Sequence, residues 1–312
     1  MTFWSATAII VSCLVAQPSA SWRSGAEGCW DEHLLQRDDS AGAVAGARAE
    51  SVQEGLTPYF SGQAVDVVLS AEAALAWDEA TGAILYEKNI HSRRPVASLS
   101  KLASVLAVRD VLAPAESVVI PEAVRSVQRQ GAHVRLPPGE HAAVYDLLAA
   151  GLVASANDAL TTLAYAAAGD EAAFANLTND FVRRHGLLDT QVSNATGLEG
   201  GEQFSTANDI KGLFRLALKD QTLRTMLASE GGSLRTREGS VRSYTSTNKL
   251  LGTYFPVLAA KTGYTPAAGQ NIVVLTYGDQ GQRIGALVLG SNDRFQDIKT
   301  LVEWIKRNYT WP

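Results

Sequence analysis

Cysteine is almost missing from this 312-residue chain, which holds only Cys13 and Cys29. Two thiols cannot build a cysteine metal cluster, and if the amino-terminal segment is removed on export a single thiol is left, with no intramolecular disulfide possible. Histidine is equally thin. His33, His91, His133, His141 and His185 show no His-x-x-Glu-His pattern and no paired helical spacing, so neither a metal nor another cofactor is expected. Basic runs and blocks that interleave aromatic with basic side chains are also lacking. With a formal net charge of −5, the chain lacks the footprint of a nucleic-acid binder.

Long hydrophobic runs are scarce as well. The apolar stretch from Phe3 to Ala16 is too short to span a bilayer comfortably, and Gln17-Pro-Ser-Ala20 ends it with small and turn-forming residues. It reads as a secretory signal over residues 1–20, although Lys and Arg are missing from the first positions, and the expected location is the periplasm. An alternative is a loose lipoprotein box, Ile10-Val-Ser-Cys13, which would acylate Cys13 and give loose membrane association; the short, still-apolar sequence after it argues against this. Residues 21–64 are rich in Ala, Gly, Ser and charge without an apolar period, and read as a flexible tether. The other reading is an irregular segment docked on the domain through Trp30, Leu34 and Leu35. Residues 65–312 are then the folded domain, and a chain 46% hydrophobic can bury a large core.

What is present is a fixed order of three short constellations: Ser98-Leu-Ser-Lys101, Ser155-Ala-Asn157 and Lys261-Thr-Gly263. They supply a nucleophile with a base one helical turn away, a polar relay and a cationic anchor on a strand, which suits acyl transfer through a serine ester. Each is weak alone, since Ser-x-x-Lys arises by chance about once in a chain of this length. Ser246-Thr-Asn248-Lys249 satisfies two of the patterns by itself. Context separates them. Pro95-Val-Ala precedes Ser98, and Leu99, Leu102, Leu106 and Leu112 follow at largely helical spacing, which predicts a buried helix with Lys101 on the face of Ser98. Ser246 lies in a stretch without apolar periodicity, suited to a loop or edge strand.

Alternation predicts a hairpin from Ala74–Trp77 and Ala83–Glu87, and a second from Asn271–Tyr277 and Arg283–Leu289, followed by a helix near Ile298–Ile305. Between them, helices are predicted over Val144–Val153, Asp158–Ala167, Phe174–His185 with Gly186 as the stop, and Thr206–Leu218. The Phe174, Leu177, Phe181 stripe is core. The expected fold class is α/β (α+β): an antiparallel sheet covered by helices, with a mostly helical subdomain inserted at roughly 103–220 and a cleft between the two.

The order, spacing and flanking words resemble the low-molecular-mass penicillin-binding proteins, the active-site-serine D-alanyl-D-alanine carboxypeptidases and endopeptidases. The resemblance rests on Pro95–Leu102, Ser155–Ala159, Asn194-Ala-Thr-Gly-Leu198 and Lys261–Gly269, with weaker matches at Thr81–Glu87 and Asn248–Leu251. The chain stops soon after its last predicted helix. With Val134-Arg-Leu136, that shortness looks most like the small endopeptidases of the penicillin-binding protein seven group, without the extra β domain of the larger carboxypeptidases.

By that resemblance Ser98 would attack a D-alanine carbonyl of a peptidoglycan stem peptide and would be trapped covalently by β-lactam antibiotics. Lys101 would be the base, which requires burial, the helix amino-terminus and the neighbouring Lys261 to lower a lysine pKa of about 10.4. Ser155 would relay a proton to the departing amine and Asn157 would hold Lys101 and the substrate amide; a plainer use of Ser155-Ala-Asn-Asp158 is to cap the next helix. Lys261 and Thr262 would bind the substrate carboxylate, Gly263 would let its backbone approach as an added strand, and the backbone N–H groups of Ser98 and Tyr264 would form the oxyanion hole. A class A β-lactamase is the rival enzyme. Its Glu-x-x-Leu-Asn loop is missing, Glu199 falls outside that pattern, and Ala156 stands where that family has Asp. A non-catalytic peptidoglycan-binding scaffold is the other alternative, against which every nucleophile, relay and anchor position is filled.

Overall fold

The computed structural model describes residues 57–62 and 66–312; the expected signal, the Cys13 box and nearly all of the tether lie outside the described residues. The chain enters through β1 (Tyr59–Phe60) and forms the hairpin β2 (Ala73–Asp78) and β3 (Ile84–Lys88). A 3₁₀ turn, Ala97–Ser100, runs into α1 (Lys101–Val111). Then come β4 (Ser117–Val119), α2 (Val124–Val127), β5 (His141–Ala143), α3 (Val144–Val153), α4 (Asn157–Ala168), α5 (Glu171–Arg184), α6 (Ala207–Lys219) and α7 (Gln221–Leu227). A hairpin of β6 (Gly231–Arg235) and β7 (Val241–Thr245) leads to β8 (Ala259–Thr265), β9 (Gly269–Tyr277) and β10 (Arg283–Ser291). The chain closes with α8 (Arg294–Asn308) and β11 (Tyr309–Thr310).

Five of these strands make one antiparallel sheet in the order β3-β2-β10-β9-β8, so the first hairpin pairs with the last strands and β8 is an edge. Period-2 alternation decides which side chains go where. Leu75, Trp77, Val273, Leu275, Leu287 and Leu289 join the core shared with the helices of the middle segment. Ala74, Ala76, Ile272, Val274, Ala286 and Val288 face Ile298, Leu301, Val302 and Ile305 of α8. Both faces are covered, which is why these strands carry few polar residues.

Most predicted elements are present, with α3 spanning its expected residues. Two boundaries differ. Residues 59 and 60, assigned to the tether, pair with Thr310 and Tyr309, so paired structure begins before residue 65. The helical insertion runs from Lys101 to Leu227 and shares its core with the sheet instead of packing as a body of its own. Among the described residues no helix is long and apolar enough to cross a membrane.

Candidate active site

Ser98 stands in the 3₁₀ turn where the chain leaves the sheet, half-exposed between buried Ala97 and Leu99. Ala97 has φ of +48°, a left-handed conformation that costs a non-glycine residue about 1 kcal/mol or more and that packing must hold. Two neighbours do so. An ideal Cβ on Gly197 would lie 2.3 Å from the Ala97 carbonyl oxygen, and one on Gly263 would lie 2.8 Å from the Val96 oxygen and 3.1 Å from the Ser98 nitrogen. Gly263 therefore lets β8 lie directly against the nucleophile turn. The sequence suggested substrate approach as its use; the structure assigns it this packing role.

One turn on, Lys101 is wholly buried. Its Nζ lies 2.8 Å from Ser98 Oγ, 2.8 Å from Asn157 Oδ1 and 2.5 Å from the Thr196 carbonyl oxygen. Burial first, then the charge of Lys261, hold it well below the ordinary lysine range. A neutral amine has two N–H donors and one lone pair. The Thr196 carbonyl and Asn157 Oδ1 can only accept, so they take the two N–H groups and the lone pair is left to face the Ser98 hydroxyl. That arrangement is a base aimed at a nucleophile.

Ser155 and Asn157 flank the start of α4. Ser155 has φ of +58°, and the helix cap is Ala156 with no side-chain cap bond, so the plain capping use of this segment is excluded. Asn157 instead donates Nδ2 to the Gln130 oxygen at 3.0 Å while its amide nitrogen donates to the Ala132 oxygen at 2.8 Å. The adjacent Asp158 carboxylate accepts from the backbone of Val134 and Leu136, which fixes this loop over the cleft.

From β8, the buried Lys261 reaches Ser155 Oγ at 3.0 Å and the Thr262 carbonyl at 3.0 Å. Burial, then the nearby Arg294, bring its pKa to about 7. Ser98, Ser155, Asn157, Thr262 and Tyr264 line one cleft of about 140 Å³, and the buried Lys101 and Lys261 reach its Ser98 and Ser155 hydroxyls from behind. Gly263 lies beside the Ser98 amide, and Tyr264, which lines the same cleft, is 61% exposed.

Three contributors were not read from the sequence. Thr247, in the stretch set aside as a loop, places Oγ1 2.6 Å from Thr262 Oγ1. Arg294, the first residue of α8, donates to the Gly263 oxygen at 2.8 Å and lines the cleft. Thr196 supplies its carbonyl to Lys101. Its loop was expected at the cleft border, but no local pattern marks a main-chain oxygen as an acceptor for a residue 95 positions away.

Comparison with known proteins identifies relatives in sequence and in fold. The D-alanyl-D-alanine carboxypeptidase DacF of Bacillus subtilis is 29% identical over 202 residues, covering 64% of this chain and 52% of its own length. DacC of Escherichia coli is 28% identical over 80% of this chain and 64% of its own. The chain thus spans between half and two thirds of these two relatives. A D-alanyl-D-alanine endopeptidase of Pseudomonas aeruginosa is 26% identical over 80% of this chain and 81% of its own. Among solved structures, a D-alanyl-D-alanine carboxypeptidase of Mycobacterium tuberculosis superposes with a TM-score of 0.71 at 25% identity, covering 79% of this chain and 95% of that one. The Streptomyces K15 DD-transpeptidase shares the fold, with a TM-score of 0.71 at 24% identity over 78% and 99%. The family profile described as D-alanyl-D-alanine carboxypeptidase matches residues 61–293, and this chain belongs to that family, peptidase S11.

Proposed function

We propose that the protein is a serine D,D-peptidase that cuts peptidoglycan stem peptides through an acyl-enzyme on Ser98. The observation that carries this reading is the Lys101 amine, depressed in pKa and with its remaining lone pair directed at Ser98 Oγ. Lys101 takes the hydroxyl proton as Oγ attacks the carbonyl of a D-alanine. The oxyanion gathers at the amides of Ser98 and Tyr264; one such donor is worth roughly 3 to 4 kcal/mol of transition-state stabilisation. Ser155, hydrogen-bonded to Lys261, passes a proton to the departing amine, and water then releases the acyl group. Lys261, Thr262, Thr247 and Arg294 form the polar end of the cleft that receives the carboxylate beside the leaving nitrogen. β-Lactams, which present the same carbonyl and carboxylate, acylate the same serine.

Within this chemistry we favour cleavage of cross-links over removal of terminal D-alanine. Its support is the endopeptidase relative matched over four fifths of its length. The carboxylate anchor suits both substrates, because the amine released from a cross-link at the D-centre of a diamino acid carries a carboxylate at the same position as free D-alanine. Action on the wall requires export, in keeping with the apolar segment Phe3–Ala16, and we propose a periplasmic location. The test is mass spectrometry of purified muropeptides after digestion by residues 21–312 beside a Ser98→Ala control. Conversion of cross-linked dimers to monomers is expected; loss of terminal D-alanine alone would make the enzyme a carboxypeptidase, and no change in either pool would overturn the proposal. Ser98→Ala is also expected to abolish labelling by a fluorescent penicillin.

A further inference from the structure

The cleft continues past Tyr264. It shares Gly197 and Thr265 with a second cavity of about 290 Å³, bounded by the nucleophile turn, the 197–204 loop and the β8–β9 turn. The polarity of a substrate in this cleft follows from the groups already placed. The carboxylate end lies at Lys261 and Thr262, and the reacting carbonyl at Ser98 and Tyr264. The acyl side of an extended peptide must then run toward Thr265 and Ala267, at about 3.3 Å per residue. The residue preceding the reacting D-alanine arrives at the mouth of this second cavity.

Its lining has a definite chemistry. Val96 and Phe204 give apolar walls, and Glu199 is the single charged side chain. One Glu199 oxygen accepts from the Ala267 amide at 3.0 Å, which leaves the carboxylate with further acceptor capacity. Two other polar groups are unused. Ser100, 4% exposed, and Gln203 both line the cavity, and Ser100 Oγ and Gln203 Oε1 are buried without a hydrogen-bond partner among the described residues. Buried polar atoms are seldom left unpaired. An aliphatic side chain ending in an ammonium group matches this set, its stem against Val96 and Phe204 and its donors toward Glu199 and Gln203.

We propose that this cavity is a specificity subsite for the residue on the acyl side of the reacting D-alanine, and that it selects a side chain with an apolar stem and a free terminal amine. The selection rests on the D,D-peptidase reading and deepens it. A stem whose diamino residue still carries its free amine is preferred as donor over one whose amine is already acylated.

The test uses three tripeptides, Nα-acetyl-L-Lys-D-Ala-D-Ala, its Nε-acetylated form and the norleucine analogue. Each competes with a fluorescent penicillin for Ser98 in the full chain, a readout that serves for either leaving group. The free amine should acylate about fivefold faster than both analogues, the upper range for an ion pair at an exposed rim. Glu199→Gln, which keeps an oxygen for the Ala267 amide, should bring the ratio close to one, and Glu199→Lys should invert it. Equal rates for the three peptides on the unmodified enzyme, or an undiminished ratio in Glu199→Gln of unchanged melting temperature, would overturn the subsite. If neither the peptides nor the penicillin acylated Ser98, the D,D-peptidase reading itself would fall, and the subsite with it.

Discussion

Two lysines are buried in one cleft, and each charge makes the other more costly. Lys101 must be neutral to accept a proton, so acylation should accelerate as pH rises through its lowered pKa. Lys261, with a pKa of about 7, supplies the cation for the carboxylate, and its loss should slow the reaction above that value. The apparent constants of the resulting bell belong to the pair. In Lys261→Gln the descending limb should vanish and the ascending limb move to higher pH, because Lys101 loses the cation that helps depress it. The second-order rate of penicillin acylation against pH checks this; an unmoved ascending limb would mean the lysines are not coupled. Stability has a matching signature. Between about pH 7 and 10.5 the unfolded chain keeps the Lys261 proton that the folded chain has released, so stability rises with pH, by up to about 1.4 kcal/mol per unit from this group. Denaturant melts from pH 7.5 to 9.5 should show that slope in the unmodified protein and about one proton less of it in Lys261→Gln.

The element that makes Lys101 a base is the loop after α5. Asn194 Oδ1 accepts from Thr196 N, Thr196 Oγ1 and Gly197 N, and this turn points the Thr196 carbonyl at Lys101 and the Ala195 carbonyl at Ser104. Asn194→Ala strands these donors, at a cost of about 2 kcal/mol, and should lower acylation about tenfold by freeing one N–H of Lys101 from its acceptor. Thermal melts and penicillin labelling read the two effects separately; an unchanged labelling rate would show that the loop serves folding only. Legibility in the sequence also divides at the level of elements. The long helices were readable from their apolar period, and the two outer hairpins from short apolar runs, buried on both faces in β2, β9 and β10, that turn residues interrupt. β6 and β7 were not, since their side chains are mostly exposed and Leu234 alone is buried among the residues of β6. β4, β5 and α2 hold three or four residues each, too few to show a period. α7 is hidden by its junction with α6, where Asp220 ends one helix and accepts from Thr222 and Leu223 to begin the next. Ser98, Lys101, Ser155, Asn157 and Lys261 stood out because local spacing marks them. Thr247 and Arg294 join the cleft only through tertiary packing, which no window of sequence displays.

At the scale of the whole molecule, the sheet closes only when residues near both ends of the described fold meet. β2 and β10 pair in register from Asp78 opposite Ile284 to Ala73 opposite Leu289, across a gap that contains every helix but α8. Trp77 is where this closure meets the helical insertion. It lies opposite Gly285, and an ideal Cβ there would fall 2.0 Å from its ring, so the indole covers a strand that has no side chain at that point. The ring also meets Phe214 of α6 edge-on at 6.5 Å, and its Nε1 donates to Glu79, which pairs with Arg215 of the same helix. One side chain thus joins two distant strands and a helix. Trp77→Ala should cost about 3–5 kcal/mol, and because sheet and insertion share one core, the loss should fall on both at once. Far-ultraviolet circular dichroism, which follows the helices, and penicillin labelling, which follows the cleft against β8, should therefore decline along one denaturation curve in the parent and in the variant. A helical signal that outlasts labelling by a resolved interval of denaturant would instead show that the insertion folds as a domain of its own. The core drawn through Trp77 would then be a contact between two bodies.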